Sequence, residues 1–280
     1  MGLNKEAIKI GFAYVGIVVG AGFSTGQEVM QFFTPFGLWS YIGVIISGFI
    51  LGFIGRQVAK IGTAFEAKNH ESTLQYVFGK KFSKVFDYIL VFFLFGIAVT
   101  MIAGSGSTFE QSFGIPTWLG ALIMTVLIYL TLLLDFNKIV RALGLVTPFL
   151  IIMVILIAVF YLFTGSISLG EVNSAMPETS AWKGIFWGLV YGGLAFAVGF
   201  STIVAIGGDA SKRRVSGAGA MFGGVLYAIL LALINFSLQT EYSKIKDVAI
   251  PTLNLAKGIH PWLGLVLTVI MLAVMYNTIL

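Results

Sequence analysis

Long apolar stretches separated by short polar segments dominate the chain. Eight of them approach or exceed the 20 or so residues that a helix needs to cross about 30 Å of hydrocarbon. Apolar and polar residues do not alternate with a period of two, which excludes an outer-membrane barrel. Because backbone groups in lipid must be bonded internally, we expect helices. The predicted spans are Ile8–Phe33, Leu38–Ala59, Lys84–Ala103, Thr117–Leu134, Val140–Phe163, Ala181–Ile206, Gly217–Leu238 and Pro261–Leu280.

The composition excludes the soluble classes of protein. Hydrophobic residues make up 58% of the 280 and charged residues only 10%, against about 25% charged residues in a soluble domain. A soluble enzyme, a disordered chain and a nucleic-acid binder are excluded. The chain has no cysteine, so it has no disulfide or thiolate metal site. We expect the lipid bilayer and a small solute as partners; the oligomeric state is left open.

The basic residues predict the orientation. With the N-terminus in the cytoplasm, the inner segments hold 13 of the 17 lysines and arginines, including Lys138, Arg141 and the run Lys212-Arg213-Arg214. Such a bias is typical of cytoplasmic loops. The net charge of +5 is therefore a topology signal, and we expect a multi-pass protein of the cell (cytoplasmic) membrane.

Two loops are long enough to hold short helices. Residues 64–81 contain Ser72-Thr73-Leu74-Gln75, a capping-box pattern that predicts a helix against the inner membrane face. Residues 239–259 contain a segment that starts at Pro251 and predicts a second helix, a lid or plug on the outside. His70 and His260 lie in or beside these loops, where a lone histidine is usually solvated.

An internal repeat links the first and sixth spans. Gly-Phe-Ser-Thr occurs at 22–25 and again at 199–202, in each case within the first helix of a five-helix unit. Because five is odd, the second unit must be inverted relative to the first. We expect a first repeat over 1–164 and a second, incomplete repeat over 165–280.

Four glycines crowd the first span, at 16, 20, 22 and 26, and each weakens a helix by about 1 kcal/mol. They could serve close helix packing, because both Gly16/Gly20 and Gly22/Gly26 have GxxxG spacing. The polar run Ser24-Thr25-Gly26-Gln27-Glu28 instead favours a broken helix that lines a cavity. We expect breaks near 20–26 and, by the repeat, near 196–202.

These motifs resemble YkvI-type membrane proteins. That group is similar to the amino acid–polyamine–organocation superfamily, whose leucine-transporter fold has two inverted five-helix repeats. The resemblance implies a secondary transporter with a central site between broken spans one and six. The fold has ten core helices and this chain supplies eight, ending at Leu280 inside span eight; we expect either a truncated chain or a reduced 5+3 form.

The resemblance also implies candidate ion ligands. One sodium position of the family uses carbonyls of the first span and hydroxyls of the eighth. These correspond here to Gly16 and Val19, and to Asn277 and Thr278 with the carbonyl of Ala273 or Val274. Oxygen ligands suit a hard cation. Tyr276-Asn277-Thr278 departs from the family's paired small hydroxyls, so coupling to sodium or to protons stays open.

Glu28 is the most informative ionisable residue. It lies six residues after Gly22, about 9 Å along a helix, and carboxylates inside a membrane are expensive and usually functional. Because dehydration favours the neutral acid, Glu28 could carry a coupling proton. It could also bind a cation or brace a neighbouring helix. Asp87 and Glu110 lie near span ends and are expected to be ordinary interfacial residues.

The predicted solute site combines backbone groups, hydroxyls and rings without a strong fixed cation, which suits an amino acid or similar zwitterion. The sequence contains no hydrolytic or redox constellation, so we expect no enzyme and no cofactor beyond a coupling ion. A channel or a solute sensor with the same fold is the alternative. The candidate substrate-binding residues are Gly20, Ala21, Gly22, Phe23, Ser24, Thr25, Phe196, Gly199, Phe200, Ser201 and Thr202.

Overall fold

The computed structural model describes residues 4–133, 146–168 and 170–279. Within these ranges every regular element is helical. They are α1 (Lys5–Val18), α2 (Ala21–Thr25), α3 (Gln27–Phe32), a 3-10 helix (Thr34–Trp39), α4 (Ser40–Phe49), a π-helical turn (Ile50–Ile54), α5 (Gly55–Phe65), α6 (Glu71–Phe113), α7 (Thr117–Leu132), α8 (Val146–Thr164), α9 (Val172–Ala175), α10 (Ala181–Gly208), α11 (Arg213–Thr240), α12 (Tyr242–Ile245), α13 (Pro251–Ile259) and α14 (Pro261–Ile279).

These helices confirm an all-helical, multi-pass membrane protein. Six helical segments of the described chain are long and apolar enough to cross a bilayer, and Thr117–Leu132 is a shorter apolar helix. The first predicted span is not among the six because it is divided into α1, α2 and α3. The predicted ends of spans four and five, with Lys138 and Arg141, lie outside the described residues, as does Leu280.

The predicted inner surface helix forms the start of α6. It begins at Glu71, and Gly79 interrupts the helical backbone with φ 74°, a left-handed conformation that glycine adopts without steric cost. The capping box predicted at Ser72 is wrong: Ser72 lies inside the helix, and Asn69 Oδ1 accepts the Glu71 N–H at 3.2 Å. The residue types that favour a cap are dense here, so the pattern alone did not fix which one is used.

The described residues divide into two compact units, each built from distant parts of the chain. The first comprises residues 4–18, Ile45–Ile97 and Leu189–Ala228, and the second comprises Val19–Val44 with the described parts of 98–188 and 229–280. These units cut across the predicted repeats 1–164 and 165–280. The inverted repeat therefore stays a prediction.

The first unit is held by close helix packing and buried hydroxyls. A Cβ on Gly11 of α1 would lie 2.4 Å from the Phe222 ring of α11, so only glycine allows this approach. The Tyr14 hydroxyl, on a side chain that is fully buried, donates to the Leu51 carbonyl at 3.3 Å. Thr63 of α5 donates to the Gly207 carbonyl at 2.7 Å.

The second unit contains a buried amide pair on α11. The side chain of Asn235 accepts from Thr34 Oγ1 at 3.0 Å and donates to Ser40 Oγ at 2.8 Å. One turn later, Gln239 Nε2 donates to the Gly37 carbonyl at 2.8 Å. Both amides are fully buried. They bond to residues of a turn in which Gly37 has φ 60°. Gln239 thus satisfies a backbone carbonyl of the 3-10 segment, while Asn235 bonds the hydroxyls of Thr34 and Ser40.

Candidate functional site

The first span is interrupted twice within the glycine-rich segment. α1 ends at Val18, and Gly20 is extended with φ −81° and ψ −168°. The short helix α2 then ends at Gly26, whose φ of 80° lies in the left-handed region. A helix that stops at Val18 and again at Gly26 leaves backbone groups without helical partners, and such groups need other polar partners when they are buried.

The Glu28 carboxyl group lies against this broken segment. It fills the space that a side chain at Gly22 would need: a Cβ built there would be 1.9 Å from Glu28 Oε1. Glycine at position 22 therefore allows the carboxyl group to approach the backbone of α2. The one acidic side chain of the first span therefore lies beside the break. An ionisable side chain inside a membrane-spanning segment usually has a function.

The short helix α13 packs on the same segment. The Thr252 hydroxyl donates to the Ser24 carbonyl, and Gln27 Nε2 donates to the Ala249 carbonyl. A Cβ on Gly26 would lie 2.9 Å from Thr252 Cγ2. The helix predicted from Pro251 is thus present, and it covers the second interruption of the first span.

α13 is also tied to α6. Gln111 Nε2 donates to the Ile250 carbonyl at 3.3 Å, and Lys257 Nζ donates to the Gln111 carbonyl at 2.7 Å. These two bonds fix α13 to α6 near both of its ends, and the Leu253, Leu255 and Ala256 side chains of α13 are buried.

The predicted site residues of the first span differ in what their groups do. Ser24 and Thr25 are buried, with 2% and 1% exposure. The Thr25 hydroxyl donates to the Gly22 carbonyl at 3.1 Å and accepts the Gln27 N–H at 3.3 Å, so it links α2 to α3. Phe23 is also buried, and Ala21 begins α2.

The sixth span is continuous. α10 runs as one helix from Ala181 to Gly208, so the break predicted near 196–202 is not present. Gly199 instead packs closely on α1, where a Cβ would lie 2.9 Å from Val18 Cγ2. Phe196 and Phe200 stack edge to face with ring centroids 5.8 Å apart. Thr202 follows in the same uninterrupted helix.

Ser201 has a partner that sequence reasoning missed. Its hydroxyl lies 2.8 Å from His70 Nδ1, and His70 Nε2 lies 2.7 Å from Asp87 Oδ1. The interpretation of His70 as a solvated loop residue is wrong, and Asp87, expected near a span end, is its partner. Asp87 lies 17 positions and Ser201 131 positions after His70 in the sequence. No local motif could therefore have indicated the three residues together.

The candidate sodium ligands are divided between the two units. Gly16 belongs to the first, while Val19, Ala273, Asn277 and Thr278 belong to the second. Within the second unit Thr278 lies beside the break, because a Cβ on Gly20 would be 3.8 Å from its Cγ2. Its hydroxyl donates to the Val274 carbonyl at 2.9 Å and keeps lone pairs for a cation. In the part of the chain that the structure describes, no three His, Asp or Glu side chains form a metal cluster.

A cavity of about 330 Å³ in the second unit lies between α8 and α13. Glu241 at its edge accepts from Ser166 Oγ at 2.8 Å and pairs with Lys244 at 2.6 Å. Burial acts to raise the pKa of the Glu241 carboxyl, but the hydrogen bonds from Lys244 and Ser166 together hold this pKa below its ordinary value. Glu241 and Lys244 thus form an ion pair with each other, and Glu241 also holds the loop at Ser166 through a hydrogen bond.

Comparison with known proteins adds two relatives. The chain is 29% identical over 236 residues to uncharacterized membrane protein YkvI of Bacillus subtilis (strain 168), covering 84% of this chain and 67% of YkvI. The resemblance to YkvI-type membrane proteins is confirmed.

A second relative, uncharacterized protein YyaD of the same organism, is 27% identical over 149 residues, which cover 53% of this chain and 43% of YyaD. The chain thus spans less than half of YyaD. No family model matches the chain, and no solved structure matches it.

Proposed function

We propose that this protein is a secondary active transporter of a small polar solute, an amino acid or similar zwitterion, that works by alternating access in the cell membrane. The basic residues favour a cytoplasmic N-terminus. Sodium and protons are both candidate coupling ions. The observation that carries the proposal is the doubly interrupted first span, with the Glu28 carboxyl group beside it.

An interrupted helix at membrane depth is tolerated where it lines a cavity or is buried in protein. In secondary transporters such segments supply backbone carbonyls and N–H groups to solutes and ions. Here Gly20 and Gly26 create the interruptions, and polar residues follow each other directly between Ser24 and Glu28. A zwitterion has one group for each kind of backbone partner.

The cover over this segment supports alternation between open and closed states. α13 holds the segment through Thr252 and Gln27 and is tied to α6 through Gln111. A channel would instead need a continuous polar path across the membrane, and the polar run from Ser24 to Glu28 occupies only part of one span. In this proposal α13 is the element that opens and closes over the solute, as transport by alternating access requires.

A thermal-shift screen identifies the solute. Detergent-solubilised protein is melted with each of the common amino acids, with sodium and with potassium as the matched control. A bound solute raises the melting temperature by mass action. At a concentration of one hundred times its Kd, it adds about 2.7 kcal/mol to the free energy of unfolding.

Uptake into proteoliposomes then tests transport. We expect the stabilising solute to accumulate against its gradient when a sodium or proton gradient is imposed, and to stop when the gradient is collapsed. Uptake that ignores both gradients while current flows would identify a channel. Binding without uptake would identify a sensor.

A further inference from the structure

A chain of three hydrogen-bonding side chains joins the loop before α6 to the C-terminal third of α10, within the first unit. Asp87 Oδ1 lies 2.7 Å from His70 Nε2, and Ser201 Oγ lies 2.8 Å from His70 Nδ1. The His70 side chain is 22% exposed and that of Asp87 is 46% exposed. Both ring nitrogens are thus engaged, while the ring stays within reach of water.

A cavity of about 250 Å³ gives water access to this histidine. The side chains along it that face His70 with charge are Glu71, Lys84 and Asp87, all from α6. From α10 the ring meets only uncharged groups, because residues 184–208 contain no Asp, Glu, Lys, Arg or His. The α10 neighbours are Ser201 and the Phe200 ring, whose centroid is 6.2 Å from that of His70. Asp87 is therefore the charge in direct contact.

The partners determine which nitrogen carries the proton. An ionised carboxylate can only accept, so in the neutral ring Nε2 carries the hydrogen and donates it to Asp87. Nδ1 then has a lone pair and accepts the Ser201 hydroxyl. This assignment follows from the inventory of donors and acceptors alone.

Adding one proton reverses one bond. In the imidazolium both nitrogens donate, so Nδ1–H must donate to Ser201 Oγ, and the serine hydrogen must turn away. A serine inside a helix can donate to the carbonyl four residues earlier, here Ala197. One proton from cavity water thus changes the bonding of α10 at the second Gly-Phe-Ser-Thr sequence, and the new positive charge lies beside the Asp87 carboxylate.

A serine nucleophile is a poorer interpretation of the same geometry. Acyl transfer needs backbone or side-chain donors for a developing oxyanion. Ser201 lies within a continuous helix, where neighbouring N–H groups are already bonded to carbonyls one turn earlier.

We propose that His70, paired with Asp87, is a proton-binding site whose state is transmitted to the sixth span through Ser201. Histidine is the residue type that commonly changes charge between about pH 5 and 8. The site stands without the proposed transport function; if transport holds, it makes the rate of the sixth span's movements responsive to protons.

Nitrogen NMR of the full chain tests the site directly, because the chain contains only two histidines. With ¹⁵N-labelled histidine, we expect His70 at about pH 8 to show a protonated Nε2 and a bare Nδ1, and at about pH 5 two protonated nitrogens. H260Q assigns the signals, because it leaves His70 as the one labelled ring. S201A should change the Nδ1 signal and leave the protonated nitrogen unchanged, whereas D87N should relax the preference for Nε2.

Transmission to α10 is tested with a thiol probe, since the chain has no cysteine of its own. A205C lies one turn beyond Ser201. Its rate of reaction with a maleimide is measured at about pH 5.5 and 8, with His70 intact and in H70Q. Glutamine keeps one donor and one acceptor and so imitates the neutral ring. Dividing the two rates at each pH removes the pH dependence of the thiol itself.

We expect this ratio to change at least about threefold between the two pH values, and S201A to abolish the change. A constant ratio would overturn transmission, and an Nε2 preference of the His70 ring that D87N leaves unchanged would overturn the site. Neither readout requires transport. Loss of uptake in the unaltered protein would therefore count against the proposed function and leave this site standing.

Discussion

The same four residues, Gly-Phe-Ser-Thr, adopt different structures at 22–25 and at 199–202. The first copy lies in α2 between two interruptions, whereas the second lies inside the continuous helix α10. The residues that follow them differ: Gly26 has φ 80°, while the corresponding Ile203 is helical and fully buried. The tetrapeptide therefore does not encode a break; the glycine after it does.

The two copies also differ in the charge that follows. Glu28 comes six residues after Gly22, and Ala205 occupies the same place after Gly199. If the break and the carboxylate act together, removing either from the first copy should make it behave like the second.

The largest effect is expected from Glu28→Gln. The first copy then resembles the second in lacking a charge, and we expect concentrative uptake to be abolished while solute binding and counterflow exchange persist. The reason is that exchange at equal driving force needs no net movement of a coupling proton. Uptake and exchange are measured in the same proteoliposome preparation.

Two other results would assign Glu28 differently. If it braces a neighbouring helix, expression, melting temperature, binding and uptake should fall together. If it binds a solute ammonium, binding should vanish first with the melting temperature of the free protein unchanged. Normal pH-dependent accumulation by the variant would remove Glu28 from coupling.

Gly22→Ala tests whether the position of the carboxyl group matters. The added Cβ would lie 1.9 Å from Glu28 Oε1, so the flexible side chain must move away. We expect accumulation to fall about tenfold, since small misplacements of a reacting group are costly, with little loss of stability. Gly193→Ala is the matched control, because nothing lies within 4 Å of the added Cβ there. Equal uptake by the two variants would contradict the role given to Gly22.

Gly26→Ala tests the break itself. Alanine in a left-handed conformation costs about 1–2 kcal/mol, and its Cβ would lie 2.9 Å from Thr252 Cγ2. We expect the free energy of unfolding in detergent, measured by denaturant titration, to fall by about 2 kcal/mol. An unchanged value would mean that the interruption does not depend on glycine.

The smallest effect is expected at Gly193→Ala, in the continuous sixth span. Position 193 is helical, and nothing lies within 4 Å of the added Cβ. Alanine should raise the free energy of unfolding by up to about 1 kcal/mol. A decrease comparable to that of Gly26→Ala would show that α10 also needs flexible backbone, and the contrast between the copies would fail.

The sequence predicted the features that depend on local composition. Hydropathy located the spans, because a run of about 20 apolar residues is typical of a membrane-spanning helix. The glycines at 20 and 26 located the interruptions of the first span. The prediction from the repeat is wrong at 196–202, where Ile203 stands in place of Gly26 and the helix continues. The hydrogen bonds of His70 and of the amides on α11 join residues that are distant in sequence. The pattern of apolar and polar residues along the chain does not predict such bonds.

The buried amides of α11 have a consequence for biogenesis. Asn235 and Gln239 find their partners between Thr34 and Ser40, about 200 residues earlier in the chain. A nascent seventh span that entered lipid alone would expose two carboxamides, and each unsatisfied group there costs several kcal/mol. We therefore expect this span to remain beside the translocon until its amides bind the turn between Thr34 and Ser40, which is synthesised much earlier. The order of synthesis thus supplies the partner before the segment that needs it.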